Sequence, residues 1–429
     1  MAALIVVACG IFGFFFPGGN MTWREPGAII VEEDTGATYV YDASSGVLRP
    51  VINHASALLL TGPNSEVRSV SSKSLRGVPH GLPIGIPGAP DSLPAVGRLE
   101  RGPWLVCATS QIDVSGTARP AVTIAIGVSE LMEASAVTAA VLVSAADEKY
   151  LLWNGRRLRV AGKAAMVALG LEQTHPVPVT QAWLNGVPAG PDLATPVVAG
   201  RGGPGPTLDG RLTRVGQVLR VSGLDSATTD YRLVLADGLA TLTTTQAQLI
   251  LADPATRAAY DASPAPIDVG SATVVATARS ATSLEAAGWP AKPPALLDPG
   301  QLGERKLCSR TRFGPDGGQD LVIASLARVR VFPLPTATAA DRTAGFVAIA
   351  AGSGVLARPE TAPGHAGVSI WLITDVGLRF ALSSDAVNAL GYSGVSPVDV
   401  PSLLLSLMPT GPTLDPTAAA NEAWAGPTS

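Results

Sequence analysis

The chain repeats itself at long range, and this duplication limits its possible folds more than any other feature. The stretch Tyr150-Leu-Leu-Trp-Asn-Gly-Arg-Arg-Leu-Arg-Val160 is followed by Ala168-Leu169-Gly170, Val177-Pro-Val179 and Gly190-Pro-Asp-Leu193. It returns as Ile370-Trp-Leu-Ile-Thr-Asp-Val-Gly-Leu-Arg-Phe380, then Ala389-Leu390-Gly391, Val398-Asp-Val400 and Gly411-Pro-Thr-Leu414, the spacing constant from Ala168/Ala389 to Leu193/Leu414. Each copy reads as a hairpin turning at Asn154-Gly155 or Asp375-Val376-Gly377, then a helix such as Ser384 to Leu390, capped at Ser383 or Ser384 and ending at a glycine. A Val-x-Val strand and a short leucine-rich helix complete a ββαβα unit. A third copy starts at Tyr231-Arg-Leu-Val-Leu-Ala-Asp-Gly-Leu239 with a helix over Thr245 to Leu251, and a fourth at Thr38 to Val51 with a helix from Asn53 to Leu60.

Between the units lie two β segments that also resemble each other. Trp104-Leu-Val-Cys107 with Val122-Thr-Ile-Ala-Ile126 corresponds to Arg305-Lys-Leu-Cys308 with Leu321-Val-Ile-Ala-Ser325. Alternation and β-branching read as paired strands. The expected fold class is therefore α+β: an N-terminal transmembrane helix, then a pseudo-two-fold body of four small αβ units around a central β domain. The segments expected are 1–19 (transmembrane helix), 26–98 (unit 1), 99–147 (central β, first part), 148–200 (unit 2), 201–226 (linker), 227–280 (unit 3), 281–366 (linker and central β, second part), 367–418 (unit 4) and 419–429 (flexible tail).

The cysteines are Cys9, Cys107 and Cys308, without CxxC spacing or histidine neighbours. Taken alone, Cys107 and Cys308 are either two buried thiols or a disulfide, which in the chain-entropy model contributes roughly 4 to 5 kcal/mol. Their equivalent places in a duplicated chain, with the β segments paired centrally, favour the disulfide.

Compartment turns on the N-terminus. Ala2 to Phe16 is apolar, no charge precedes Arg24, and Pro17-Gly18-Gly19 ends the run. A signal peptide would carry Lys or Arg ahead of the apolar stretch, and a lipobox at Val6-Val7-Ala8-Cys9 would give way to polar residues after the cysteine. The preferred reading is a transmembrane helix whose first residues are missing, since fifteen residues span only about 22 Å of a ~30 Å hydrocarbon core. All three readings export the rest of the chain.

Composition narrows the function. A formal charge of −4 with 15% charged residues offers no basic face for phosphates, so nucleic acid is not an expected partner. The nearest string to a phosphate loop, Gly155 to Gly162-Lys163-Ala164, has Arg157 where glycine and Ala164 where Ser or Thr is needed. His54, His80, His175 and His365 lack ligand spacing, and Ala351-Gly-Ser-Gly-Val355 is not a nucleophile elbow. No catalytic, cofactor or metal residue is expected.

Several segments resemble the EccB family of the type VII (ESX) secretion system. They are Val47-Leu-Arg-Pro-Val-Ile-Asn-His-Ala-Ser-Ala57, Gly81-Leu-Pro-Ile-Gly-Ile-Pro-Gly-Ala-Pro90, Trp104 to Cys107, Tyr150 to Arg157, Leu233 to Leu239 and Gly391-Tyr392 to Pro416, in the family's order. The resemblance implies a single-pass inner-membrane protein with a large periplasmic body. It also implies assembly with EccC, EccD and EccE, a mycosin-type protease outside, and self-association at the membrane. Within it, Gly85, Pro87, Gly88 and Pro90 carry two readings, a rigid turn from the first unit into the core or a docking loop for another component. The rival functions are a cell-wall or glycan-binding module and an extracytoplasmic ATPase.

Overall fold

The computed structural model describes residues 21–112, 115–128, 134–222, 229–284, 287–314, 317–334, 343–362 and 364–423. Among them no helix is long and apolar enough to cross a membrane, and the helix expected over Ala2 to Phe16 lies outside the described residues.

Unit 1 comprises β1 (Ile29–Glu32), β2 (Thr38–Asp42), β3 (Val47–Pro50), α1 (His54–Thr61), β4 (Val67–Val70) and α2 (Ser72–Leu75). The first central strands follow: β5 (Trp104–Ile112), β6 (Ala118–Ile126) and β7 (Ser135–Ala136). Unit 2 is β8 (Val141–Ala145), β9 (Glu148–Trp153), β10 (Arg156–Arg159), α3 (Gly162–Ala168), β11 (Val177–Pro178) and α4 (Gln181–Asn185). Unit 3 is β12 (Val218–Ser222), β13 (Asp230–Leu235), β14 (Gly238–Leu242), α5 (Thr244–Ala252), β15 (Ile267–Gly270) and α6 (Ser271–Ala276). The second central set is β16 (Lys306–Arg312), β17 (Gly318–Ala324), β18 (Phe332–Pro333) and β19 (Phe346–Ile349). Unit 4 is β20 (Gly354–Ala362), β21 (His365–Ala366), β22 (Ile370–Thr374), β23 (Arg379–Leu382), α7 (Ser384–Ala389), β24 (Val398–Pro401) and α8 (Ser402–Ser406), followed by α9 (Pro416–Ala419).

Each unit has a leading strand that the sequence pattern did not suggest, and unit 4 also has the two-residue β21 at its sheet edge. β1, β8, β12 and β20 precede the recognised hairpins and lie inside their sheets, antiparallel to the next strand and parallel to the last. The units are thus βββαβα, with β21 added in unit 4, and segment boundaries at 147/148, 226/227 and 366/367 detach β8, β12 and β20 from the sheets they pair in. These strands depend on a parallel partner some 30 to 50 positions downstream, as crossover pairing requires a dozen or more intervening residues, and no local turn signal announces them. In units 1, 3 and 4 the first helix is capped by a side chain one residue before it: Asn53, Thr243 and Ser383 accept from Ser56, Gln246 and Ala386 N–H. Thr243 and Gln246 complete a reciprocal capping box.

After its second helix, every unit returns along the outer side of its hairpin. Parallel bridges join Leu48 to His80, Arg157 to Ala189, Leu239 to Arg279 and Arg379 to Thr410. In units 2 and 4 this explains the repeated Gly-Pro: Gly190 and Gly411 N–H donate to Arg157 and Arg379 carbonyls, and a Cβ at either glycine would stand 2.4 Å from Leu158 Cδ2 or 2.3 Å from Phe380 Cε1.

The central sheet runs β18-β19-β6-β5-β16-β17-β7. The two halves meet where β5 pairs antiparallel with β16, and then exchange strands: β7 of the first half adds to β17, β19 of the second to β6. One face of the sheet, with Trp104, Val106, Ile124 and Leu307, carries the largest core, shared with units 2 and 4. Units 1 and 3 lie outside it. Unit 1 packs on unit 4 through α1 against α7 and α9, and unit 3 on unit 2 through α5 against α3.

The tail also departs from expectation up to residue 423. Asp415 caps α9 by accepting from Thr417 and Ala418 N–H, Ala419 is buried, Asn421 O accepts from Gly85 N–H, and Ala423 N–H donates to Pro83 O. Asp-Pro is a helix-start signal, but what holds the segment is unit 1, far away in sequence.

Candidate functional site

The features that the sequence singled out converge on the joints between the two halves. Cys107 and Cys308 stand directly opposite each other in the β5–β16 register, Cα atoms 3.9 Å apart, and are joined by a disulfide with an S–S distance of 2.07 Å. Both are fully buried on the sheet face opposite the main core, among Leu105, Ala125, Val322, Ala324 and Ala348. Strand alternation accounts for this: Trp104, Val106 and Ala108 face units 2 and 4, while Leu105 and Cys107 face away. The bond closes a loop across 201 positions.

Gly85 to Pro90 begins a strap leading from unit 1 towards the centre. Gly85 has φ +133°, and a Cβ there would meet Ile52 Cγ1 at 2.7 Å and Ser56 Oγ at 3.1 Å, so only glycine permits this approach. Ser56 Oγ accepts from Ile86 N–H at 2.9 Å, Asn53 Nδ2 donates to Ile86 O at 2.8 Å, and Ala55 N–H donates to Pro90 O. Ile86 and Ala89 are buried, while Pro87 and Gly88 form the exposed side. Further along, Tyr392 of unit 4 donates its hydroxyl to Pro94 O at 2.8 Å, burial raising its pKa, and Leu99 bridges in parallel to Gly354 at the start of β20.

A second strap mirrors the first. Thr245 N–H donates to Ala291 O, as Ala55 does to Pro90, and Leu296 bridges in parallel to Ala140 just ahead of β8. Each strap therefore covers the helix start of its own outer unit and then adds to the first strand of the inner unit in the other half. The glycines match as well: Gly88 (φ +80°) lies against Pro412 of unit 4, and Gly288 (φ +90°) against Pro191 of unit 2. The sequence pointed to the first strap through its Gly-Pro density. The second, Gly288-Trp-Pro-Ala-Lys-Pro-Pro294, is comparably dense, and its Gly288-Trp-Pro290 matches Gly88-Ala-Pro90 of the first, a correspondence too short to stand out before the two straps are superposed on their contacts.

The remaining candidates are placed as follows. Asn154 and Gly155 close the β9–β10 hairpin with φ of 48° and 69°, and residues 156–159 of the phosphate-loop-like string are strand, paired with 150–153. Arg157 N–H donates to Pro188 O, so the amides that a phosphate cradle would turn inward lie in a ladder. Lys163 borders a recess of about 560 Å³ whose other lining includes Asp147, Glu148, Lys149 and Arg159, a mixture of signs. Arg159 is itself paired with Asp192. Among the described residues no three of His, Cys, Asp and Glu gather as metal ligands. His80 lies edge-on to Tyr39, ring centroids 5.4 Å apart.

Comparison with known proteins places these features in a family. Residues 1–425 match the family model described as type VII secretion system ESX-1, transport TM domain B. The chain is 30% identical to the ESX-3 secretion system ATPase EccB3 of Mycolicibacterium smegmatis, over 95% of this chain and 80% of the relative. It is 29% identical to the ESX-5 secretion system ATPase EccB5 of Mycobacterium tuberculosis H37Rv, over 96% and 83%. Among solved structures, it resembles a chain of an intact ESX-5 inner membrane complex with a TM-score of 0.71, at 27% identity, covering 100% of this chain and 87% of that one. It also resembles the EccB3 dimer from the ESX-3 core complex, with a TM-score of 0.67, at 25% identity, covering 92% and 100%.

Proposed function

The chain belongs to the EccB family of the type VII secretion system, and from that membership we propose that it is a structural subunit of a secretion machinery in the inner membrane, its periplasmic body scaffolding assembly of the core complex. The observation that carries this reading is likeness along the whole chain to a chain of a solved inner membrane complex. Its physical counterpart is a body whose conspicuous sequence features lie at joints: a buried disulfide between the halves, and reciprocal straps between inner and outer units.

In this reading Ala2 to Phe16 belongs to a single-pass membrane helix and the rest is periplasmic, an oxidising space in which the disulfide persists. EccC, EccD, EccE and a mycosin-type protease are the partners, and the chain self-associates, as the EccB3 relative does in its dimer. Affinity capture of the tagged full chain from a mild detergent extract is expected to recover EccC, EccD and EccE. Recovery of the chain alone would overturn the reading.

The relatives' description as ATPases supports a second reading. Against it, the one string that approaches a phosphate loop is a hairpin with its amides paired. The expected result is no ATP turnover by the purified full chain. Turnover abolished by Lys163→Ala would establish the second reading instead.

A further inference from the structure

On one side, each unit's sheet ends in the unit's last strand, which lies parallel to the first and, among the described residues, pairs with no other: β4, β11, β15 and β24. A free edge strand invites pairing with another chain, and proline, which has no N–H to offer, discourages it. Three of these edges are guarded in this way, by Pro176 and Pro178 at β11, Pro266 directly before β15, and Pro397 and Pro401 at β24. β4 of unit 1, Val67-Arg-Ser-Val70, has no proline nearer than Pro63.

The open side of β4 follows from its closed side. Ile29 and Glu33 N–H donate to the Glu66 and Val70 carbonyls, so the even-numbered residues turn their backbone groups to β1 and, by alternation, Val67 and Ser69 turn theirs outward. Among the described residues no strand pairs with that outward row, and Val67 is 59% exposed.

Charge selects what can pair there. Arg68 is held by Glu25 at 2.7 Å and by Glu66 at 3.0 Å, and Glu66 is itself largely exposed. When a second β4 approaches antiparallel with Val67 opposite Val67, the two valines exchange both N–H···O bonds. On the other face each Glu66 then stands opposite Arg68 of the second copy, so the two carboxylates can exchange arginines. Shifting the pairing to set Arg68 opposite Arg68 brings like charges together, which is destabilising. The strand is thus complementary to itself in one register.

We propose that β4 is a contact edge for a second copy of the chain, the two unit 1 sheets joining through an antiparallel β4–β4 pair centred on Val67. The inference rests on the self-association named in the proposed function and gives it a place and a register.

The test is disulfide crosslinking of the full chain in membranes, in a Cys9→Ala background so that an introduced cysteine is the sole free thiol, with thermal unfolding of each variant as a check on folding. Val67→Cys is expected to crosslink to a dimer on mild oxidation, since residues that exchange both backbone bonds lie about 5.5 Å apart, within disulfide reach. Ser69→Cys, which in this register lies roughly 13 Å from its own counterpart, should stay monomeric, as should Val275→Cys at an exposed valine of α6 in unit 3. Glu66→Lys is expected to slow the Val67→Cys crosslink about fivefold, and adding Arg68→Glu to restore it; should the combined variant unfold, Glu66→Lys alone supplies the measurement. Crosslinking of Val67→Cys no faster than that of Val275→Cys would overturn the proposal, and equal crosslinking of Val67→Cys and Ser69→Cys would overturn its register. A Val67→Cys chain that fails to crosslink yet still captures EccC, EccD and EccE leaves the scaffold reading standing, whereas one that does neither overturns both.

Discussion

Units 2 and 4 lay their second short helix on the central sheet, whereas units 1 and 3 hold the same helix at the periphery. Aligned on the bridges that follow, Trp183 and Leu404 of the inner units correspond to Ser74 and Thr273 of the outer ones. Trp183 is fully buried and its Nε1–H donates to Val106 O of β5 at 2.8 Å, and Leu404 lies in the same core. Thr273 instead donates its hydroxyl to Asp209, in the segment leading into β12. One repeated backbone thus serves two roles, and the inner helices bring to the shared core not only Trp183 and Leu404 but also Leu184 and Leu405, with Met408 just beyond. An apolar residue there gains its burial energy from the sheet, and a hydroxyl satisfied locally has no comparable gain.

The comparison can be broken most severely at the joint shared by both halves. Replacing both Cys107 and Cys308 by Ala should lower unfolding free energy by about 5 kcal/mol on the chain-entropy model, read by denaturant unfolding of the oxidised chain against the variant. A loss below about 1 kcal/mol would mean that the halves hold together without their staple. Next in size is the contrast between inner and outer units. Trp183→Ala is expected to cost about 3–5 kcal/mol, through cavity and hydrogen bond together, and Thr273→Ala about 1 kcal/mol. Equal losses in thermal or denaturant unfolding would erase the distinction drawn between the two kinds of unit.

The smallest effect concerns the outer unit alone. In the β2–β3 turn, Asp42 accepts from Ser44 Oγ and Ser45 Oγ, which lowers its pKa to about 2. Because the folded value is the depressed one, the contribution is complete above the ordinary aspartate value of ~3.9 and is lost as pH falls through about 2. NMR titration of the Asp42 carboxyl should give a midpoint near 2, moving up towards the ordinary value in the Ser44→Ala, Ser45→Ala variant, with the inner units undisturbed. A midpoint at the ordinary value in the wild-type chain would dismiss the turn as a source of acid sensitivity.

Much of this architecture can be read without coordinates, for definite reasons. The hairpins are legible because Asn154-Gly155 and Gly377 serve turns in which φ is positive at Asn154, Gly155 and Gly377. The helix start at Ser383 is legible because a cap and its helix are neighbours in sequence. The Cys107–Cys308 pairing follows from a duplicated pattern in which equivalent strands meet across a two-fold relation, as the β5–β16 register shows. The strap at Gly85 to Pro90 stands out by its glycines and prolines, although its partner Pro412 does not.

The chain alone carried the duplicated order of elements and the α+β class, and it favoured the pairing of Cys107 with Cys308, because each is written in local periodicity or in a comparison of one half with the other. Only the tertiary structure decided that β1, β8, β12 and β20 occupy the interior of their sheets, that unit 1 packs on unit 4 and unit 2 on unit 3, and that the segment after Asp415 docks on unit 1. Those arrangements depend on parallel pairing and apolar burial between residues far apart in the chain, where the free energy belongs to the contact and neither partner's neighbourhood carries a sign of it.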